Sequence, residues 1–238
     1  MSLYRDNGVV LRTYKLGEAD RIIVLLTRNH GKVRAVAKGV RKTKSKFGAR
    51  LEPVSHVAGQ FYSGRGELDI VTQVESVEHF RGIREDLERL QRASTMLEAV
   101  DQMAQDGDAS NRMYTMLVGA LRTLEHENPS ITVAGFFWKL LSMEGFAPQL
   151  DACALCDSEG PLVSFDISQG GALCTNCRRG QSISPEALHL LRLILGGQLR
   201  TALAEGPGAV ATELEGIATQ AMESTLERHL RSPGVLEA

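Results

Sequence analysis

The sequence predicts an α+β protein, in which an N-terminal five-stranded antiparallel barrel precedes an α-helical domain carrying a small four-cysteine insert. Three observations predict it. Apolar residues alternate with period two over the first 80 residues, the spacing becomes helical after residue 80, and two C-x2-C pairs interrupt the helical pattern. A chain of 238 residues with 43% hydrophobic content is long enough to bury a real core. Ordinary apolar content and a net charge of −2 exclude global disorder.

The strands come first. Val9-Val10-Leu11 is a short β-branched run, and Leu16–Asp20 interrupts it with turn residues. Arg21–Thr27 is the next strand, and Asn29-His30-Gly31 supplies a turn. Over Lys32–Lys38, Val33, Ala35 and Ala37 face one way while Lys32, Arg34 and Lys38 face the other. Gly39–Arg50 is basic and without period, which predicts an exposed loop. A strand from Pro53 to Tyr62, a turn at Ser63–Gly66 and an alternating strand over Glu67–Val77 complete the set. Five strands with no room for crossover helices close as a small barrel. An OB-fold fits, and an SH3-like barrel is the alternative.

The helices follow. Apolar stripes run from Ile83 to Met103, from Met113 to Leu124 and over Ile131–Gly145. Ser184-Pro185 reads as an N-cap with proline at the first helical position, opening a helix through Leu188, Leu191, Leu195 and Leu199. Gly206-Pro207-Gly208 breaks the chain, and a last helix runs from Leu214 to Leu230. These five helices are expected to bury one another in a bundle. The expected domains are therefore a barrel over 1–80, a helical bundle over 81–150 and 181–238, and an insert over 151–180.

Net charge hides an asymmetry. Residues 1–80 hold 14 Lys+Arg against 8 Asp+Glu, net +6, whereas residues 81–238 hold 13 against 21, net −8. Between Asp20 and Glu52 there is no acidic residue, and Arg21, Arg28, Lys32, Arg34, Lys38, Arg41, Lys42, Lys44, Lys46 and Arg50 all fall there. Such a block repels itself unless a polyanion supplies the counter-charge, so it points to nucleic acid. The expected phosphate contacts are Lys32, Arg34, Lys38, Arg41, Lys42, Lys44, Lys46 and Arg50. Phe47, Phe61 and Tyr62 are candidate stacking platforms, with Phe47, in the basic loop, the first choice.

Cys153, Cys156, Cys174 and Cys177 have the spacing of a closed four-thiolate zinc site. Four protein thiolates leave no open position, so the expected zinc is structural and holds residues 151–180 folded. Arg178 and Arg179, directly after the last cysteine, are a candidate second DNA contact. No histidine has Glu two residues later and no proline precedes either cysteine pair, which excludes a zinc deaminase. There is no P-loop, no G-x-S-x-G and no H-E-x-x-H. The formal G-x-G-x-x-A over 206–211 follows a helix and contains Pro207, so it is set aside. His56 lies in an expected strand and reads as structural. Nothing argues for an enzyme. The longest aliphatic run, Ile22–Leu26, is far too short to span a bilayer, and Met1–Asn7 has no apolar signal region, so the expected compartment is the cytoplasm.

Leu16-Gly17-Glu18-Ala19-Asp20-Arg21-Ile22-Ile23-Val24-Leu25-Leu26-Thr27, then Gly31-Lys32, then Ala37-Lys38-Gly39-Val40-Arg41-Lys42, then Ser45-Lys46-Phe47-Gly48-Ala49-Arg50-Leu51-Glu52-Pro53 resembles the bacterial RecO family of recombination mediators in DNA repair. The order of barrel, helices, paired cysteines and terminal helices extends the resemblance over nearly the whole chain. It implies an OB-fold that binds single- and double-stranded DNA, anneals complementary strands and, with RecR, helps load RecA onto DNA coated by SSB. It implies association with the nucleoid, and a zinc that serves stability, because some members lack the cysteines. It also implies a partner in the acidic SSB C-terminal tail, for which Arg112, Arg122 and Lys139, beside apolar stripes, are candidate rim residues. The rival expectation is a zinc-ribbon transcription regulator. Residues 151–180 disfavour it, since Arg178 and Arg179 face Asp151, Asp157, Glu159 and Asp166, net −2.

Overall fold

The computed structural model describes residues 2–64, 66–205 and 208–231. Arg65 of the expected turn and Gly206-Pro207 of the expected break lie outside the described residues. The described residues form two compact units, one up to residue 126 together with Arg231, the other between residues 127 and 230.

The first unit opens with five strands: β1 (Ser2–Leu16), β2 (Asp20–Thr27), β3 (Gly31–Ala37), β4 (His56–Ser63) and β5 (Asp69–Glu78). They pair in the order β1-β2-β3-β5-β4, and β1 also pairs with β4, so the sheet closes into a barrel. The expectation of a wholly antiparallel barrel is corrected at one seam, where β3 and β5 run parallel, with Ala35 opposite Asp69 and Val36 opposite Ile70. Closure requires this. An odd number of strands cannot form a ring in which every neighbouring pair is antiparallel.

β1 is also longer than the Val9–Leu11 run predicts. Its first half pairs with β4 and its second half with β2, the two pairings overlap at Gly8 and Val9, and the register with β2 shifts just beyond, between Val10 and Arg12. The expected strand from Pro53 begins at His56 instead, after a turn in which Val54 takes φ 68°. Gly31 closes the β2–β3 turn at φ 66°, and a Cβ there would meet the backbone of Asp108.

Val10, Ile23, Leu25, Val33, Ala35, Val57, Phe61 and Val71 fill the barrel. Val24 and Leu26 point the other way yet are each 1% exposed, so β2 is buried on both faces. This explains its unbroken Ile-Ile-Val-Leu-Leu run where alternation would serve a half-buried strand. The helices α1 (Arg81–Glu85), α2 (Leu87–Met103) and α3 (Asn111–His126) belong to this unit, and α2 and α3 pack on β1. Asp86 caps α2 by accepting the Arg89 N–H at 3.0 Å.

A polar chain running from the buried His56 to the surface ties the barrel to α3. His56 Nδ1 lies 2.7 Å from Glu78 Oε2, and Nε2 lies 2.7 Å from the Tyr114 hydroxyl. The carboxylate can only accept, so Nδ1 donates to it, and Nε2 shares the second hydrogen bond with the Tyr114 hydroxyl. Arg122 of α3 donates to both oxygens of Glu78, at 2.8 and 3.2 Å. Burial alone would raise the Glu78 carboxyl, but the hydrogen bonds from Arg122 and His56 outweigh it and hold Glu78 below the usual carboxylate range. A depressed acid stabilises the fold above its unfolded pKa and loses that contribution as pH falls through its folded value. Glu78→Gln is therefore expected to cost about 1–3 kcal/mol near pH 7. The difference from the parent should shrink as denaturation is repeated towards pH 3. A penalty independent of pH would show that the charge of Glu78 is not what matters.

The second unit contains α4 (Thr132–Met143), a small sheet of β6 (Leu162–Asp166), β7 (Gly171–Cys174) and β8 (Gln181–Ser182), and α5 (Pro185–Leu195), α6 (Leu199–Glu205) and α7 (Gly208–Leu226). Phe137, Trp138, Leu191, Leu214 and Ile217 are among its buried residues. Ser184 Oγ accepts the Ala187 N–H at 3.1 Å with Pro185 behind it, which is the expected cap. The helix expected through Leu199 is two helices, because Gly196 ends α5 and Gly197 takes φ 86°. The last helix ends at Leu226, and Glu227 follows at φ 52°.

Candidate nucleic-acid interface and metal centre

β3 presents the basic face much as its period predicts. Val33, Ala35 and Ala37 enter the barrel, while Arg34 and Lys38 are exposed. Lys32 is different, since its Nζ donates to the Asp101 carbonyl at 2.9 Å and lies 3.7 Å from Asp106. Its side chain is only 15% exposed, so it fastens β3 to α2 and the loop after it.

The segment after β3 is exposed, but it is pinned. Gly39 N–H donates to Asp20, Arg41 N–H donates to the Ala19 carbonyl, and the Arg41 guanidinium reaches the carbonyls of Gly17 and Glu18. Farther on, Lys46 donates to the Thr72 carbonyl at 2.9 Å, and Arg50 to the carbonyls of Lys46 and Phe47. The partners of these three cationic side chains are neutral carbonyls. The bonds fix where Arg41, Lys46 and Arg50 sit without cancelling their charge, so a cationic surface remains. Among the described residues, the side chains of Arg34, Lys38, Lys42 and Lys44 are exposed and make no hydrogen bond or ion pair.

Phe47 is a correction. It is 2% exposed and belongs to the barrel core, so it is no platform for a base. Phe47 caps the start of a short 3-10 turn over Gly48–Leu51, Leu51 ends it, and both point into the barrel. That i, i+4 apolar pair inside a basic stretch was the available signal. Phe61 is core as well, at 1% exposed, and Tyr62 is half-buried. An exposed ring on the barrel is Tyr14, 41% exposed, with the Arg12 guanidinium 4.9 Å from its centroid.

In the second unit the four cysteines converge. Their sulfurs all lie within 4.8 Å of one another, and Cys156 Sγ is 3.7 Å from Cys174 Sγ. Four sulfurs about 2.3 Å from one tetrahedral zinc would lie about 3.8 Å apart, so the donor set fits that ion. Cys153 sits in a turn in which its N–H donates to the Ser158 carbonyl and its own carbonyl accepts from Asp157. Cys174 ends β7. Backbone N–H groups, Cys174's first and then those of Leu155 and Cys156, bring Cys153 down to about 6. The hydrogen bond with Cys156 and then burial push Cys177 up to about 12. A cation held among the sulfurs would favour the thiolate form of its ligands. Arg178 donates to Ser182 Oγ and Arg179 lies 3.5 Å from Asp166, so both exposed arginines beside the cluster already have partners.

Of the three proposed rim cations, Arg122 is held by Glu78 in the first unit, Arg112 opens α3 in the same unit, and Lys139 sits on α4 in the second. The second unit has an apolar cavity of about 420 Å³, lined by Trp138, Leu141, Phe146, Phe165 and Ala221. No helix among the described residues is long and apolar enough to cross a membrane.

Residues 1–80 match the family described as Recombination protein O N terminal, and residues 84–234 match Recombination protein O C terminal. The chain belongs to the RecO family. It is 47% identical to the DNA repair protein RecO of Streptomyces coelicolor, 46% to that of Streptomyces avermitilis and 45% to that of Streptomyces griseus, each match covering 98% of both chains. The family's two parts divide near residue 80, where the barrel ends.

Proposed function

We propose that this chain is a cytoplasmic, nucleoid-associated mediator of DNA repair and recombination. It grips single- and double-stranded DNA with little regard to sequence, anneals complementary strands and, with RecR, helps load RecA onto SSB-coated DNA. The observation that carries this reading is the set of exposed, unpaired cations Arg34, Lys38, Lys42 and Lys44 on a five-stranded barrel of a RecO-family chain. Closed five-stranded barrels with an oligonucleotide-binding face are OB-folds, and the barrel is read as one. Phosphate contacts position a strand without reading its bases, which suits annealing of any sequence. No covalent step is needed, because neutralising two strands lets base pairing do the rest, and the protein acts without being an enzyme.

The SSB tail, acidic and ending in an apolar residue, finds a place for that residue in the cavity beside Trp138 and Phe146. The four cysteines hold zinc for stability. A zinc-ribbon regulator is the weaker reading, since Arg178 and Arg179 are engaged by Ser182 and Asp166.

The test is annealing. Two complementary fluorescent oligonucleotides, bare and then SSB-coated, are mixed with the protein and followed by energy transfer without nucleotide. Pairing should accelerate, and the acceleration should survive the coat. Tight binding without acceleration would overturn the mediator reading and leave a DNA-binding module.

A further inference from the structure

The strand register places one continuous row of side chains across the outside of the barrel. Ile23, Ala35, Val71 and Phe61 all point into the core, so their chain neighbours Ile22, Val36, Ile70 and Tyr62 point outward. Tyr14 pairs with Ile22, Ile22 with Val36, Val36 with Ile70, and Ile70 with Tyr62. Paired residues on neighbouring strands share a face. The result is an apolar row of three aliphatic side chains with a tyrosine at each end, and Tyr14 is the most exposed of the five, at 41%.

Cations border this row. In the adjacent register, Arg12, Val24 and Arg34 line up across β1, β2 and β3, and Lys38 follows Ala37 on the other side. Arg12 is doubly placed. Its Nε lies 2.7 Å from Asp101 Oδ2, and its guanidinium lies over the Tyr14 ring at 4.9 Å. Asp101 is 5% exposed, and its other carboxylate oxygen is buried without a partner among the described residues. The buried carboxylate fixes the arginine, and the arginine orients the ring.

The geometry points to the Tyr14–Ile22–Val36 part of this row, on β1, β2 and β3, as a stacking platform for the unpaired bases of a single nucleic-acid strand, with Tyr14 its principal ring and Arg34 and Lys38 holding the phosphates alongside. The inference rests on the nucleic-acid reading above and adds to it a preference for strand form. Flat rings and aliphatic side chains between cations complement exposed base faces between phosphates, and a duplex hides those faces. Arg34 serves either form, whereas Tyr14 serves only the single strand.

Three Tyr14 variants of the full chain test this, with an oligo(dT) strand and a duplex of equal length as probes. Tyr14→Ala should weaken oligo(dT) binding about tenfold with the salt slope unchanged, because stacking releases no counterion. Its duplex affinity and melting temperature should match the parent's, and Tyr14→Phe should restore oligo(dT) binding. In Tyr14→Trp, the added indole fluorescence, measured above the Trp138 background, should be quenched by oligo(dT) and not by the duplex. Unchanged oligo(dT) affinity in Tyr14→Ala, or an equal loss for both probes, would overturn the inference and leave the DNA-binding reading standing. If the parent itself failed to bind oligo(dT) at low salt, the DNA-binding reading would fall, and the inference with it.

Discussion

Cys174→Ser is expected to abolish stoichiometric zinc and to unfold the small sheet of the second unit. The prediction follows from how little else holds that segment. β8 has two residues and β7 four, and the Cys153 turn meets β7 through the Ala154 N–H to Ala172 carbonyl bond and the sulfur cluster. Apolar burial here is confined to a few side chains, Leu162, Phe165, Leu173 and Ile183. A segment this short depends on a staple. Binding free energy of a structural zinc is folding free energy, and losing one thiolate forfeits a large part of it.

The damage should spread, because Phe165 meets the Trp138 ring edge-on at 5.5 Å and Trp138 lies in the core of α4. We expect a loss of at least about 3 kcal/mol, a melting point lower by about 6–12 °C, and new proteolytic cuts between 151 and 180. The same cuts should appear in the parent after chelation, and more readily as pH falls, since protons compete with zinc for all four sulfurs. A fully stable, protease-resistant Cys174→Ser protein that binds no zinc would remove the metal from the account of the fold.

The four-cysteine cluster is the most legible part of the chain because its geometry is local. Two residues between cysteines build a knuckle whatever surrounds it, so spacing alone predicts which sulfurs converge. The barrel strands are legible for a similar reason, since period two at Val33, Ala35 and Ala37 is set by one buried face. What fails is what depends on distant partners. Nothing in Ser2–Asn7 announces a strand, because that half of β1 exists by pairing with β4, more than 50 residues away. The parallel seam between β3 and β5 was deducible, from the parity of five strands in a ring, but no local pattern carries it. Phe47 looks like an exposed ring because its neighbours Lys46, Gly48, Ala49 and Arg50 are exposed, and only the Phe47–Leu51 spacing betrays its burial. The helices show that each has a buried stripe and not what the stripe meets, which is why α1–α3 were expected with the later helices and group with the barrel. The row from Tyr14 to Tyr62 joins all five strands by register and is invisible before the register is known.

Reversing charge at Arg34, Lys42 and Lys44 together should separate the surface that meets DNA from the core that supports it. All three side chains are exposed and without partners among the described residues, so Glu at each position breaks nothing in the fold. Relief of like-charge repulsion should leave the melting temperature equal or slightly higher. Each lost phosphate contact lowers the slope of log K against log salt by about 1, so the triple variant should lose about 3 from the slope. Affinity near 50 mM salt should fall about 10²–10³-fold, equally for unrelated sequences, because no base is being read. Annealing should fall with it.

Phe47→Ala supplies the contrast. Its ring fills the barrel, so about 3–5 kcal/mol of stability should go, while the slope measured on the protein that remains folded stays near the parent's. Lys46→Glu should fall between the two, since Lys46 both carries charge and donates to the Thr72 carbonyl. If the triple variant kept the parent's slope and affinity, the free cations of β3 and its following loop would not be the DNA surface, and the charge asymmetry of the chain would need another partner.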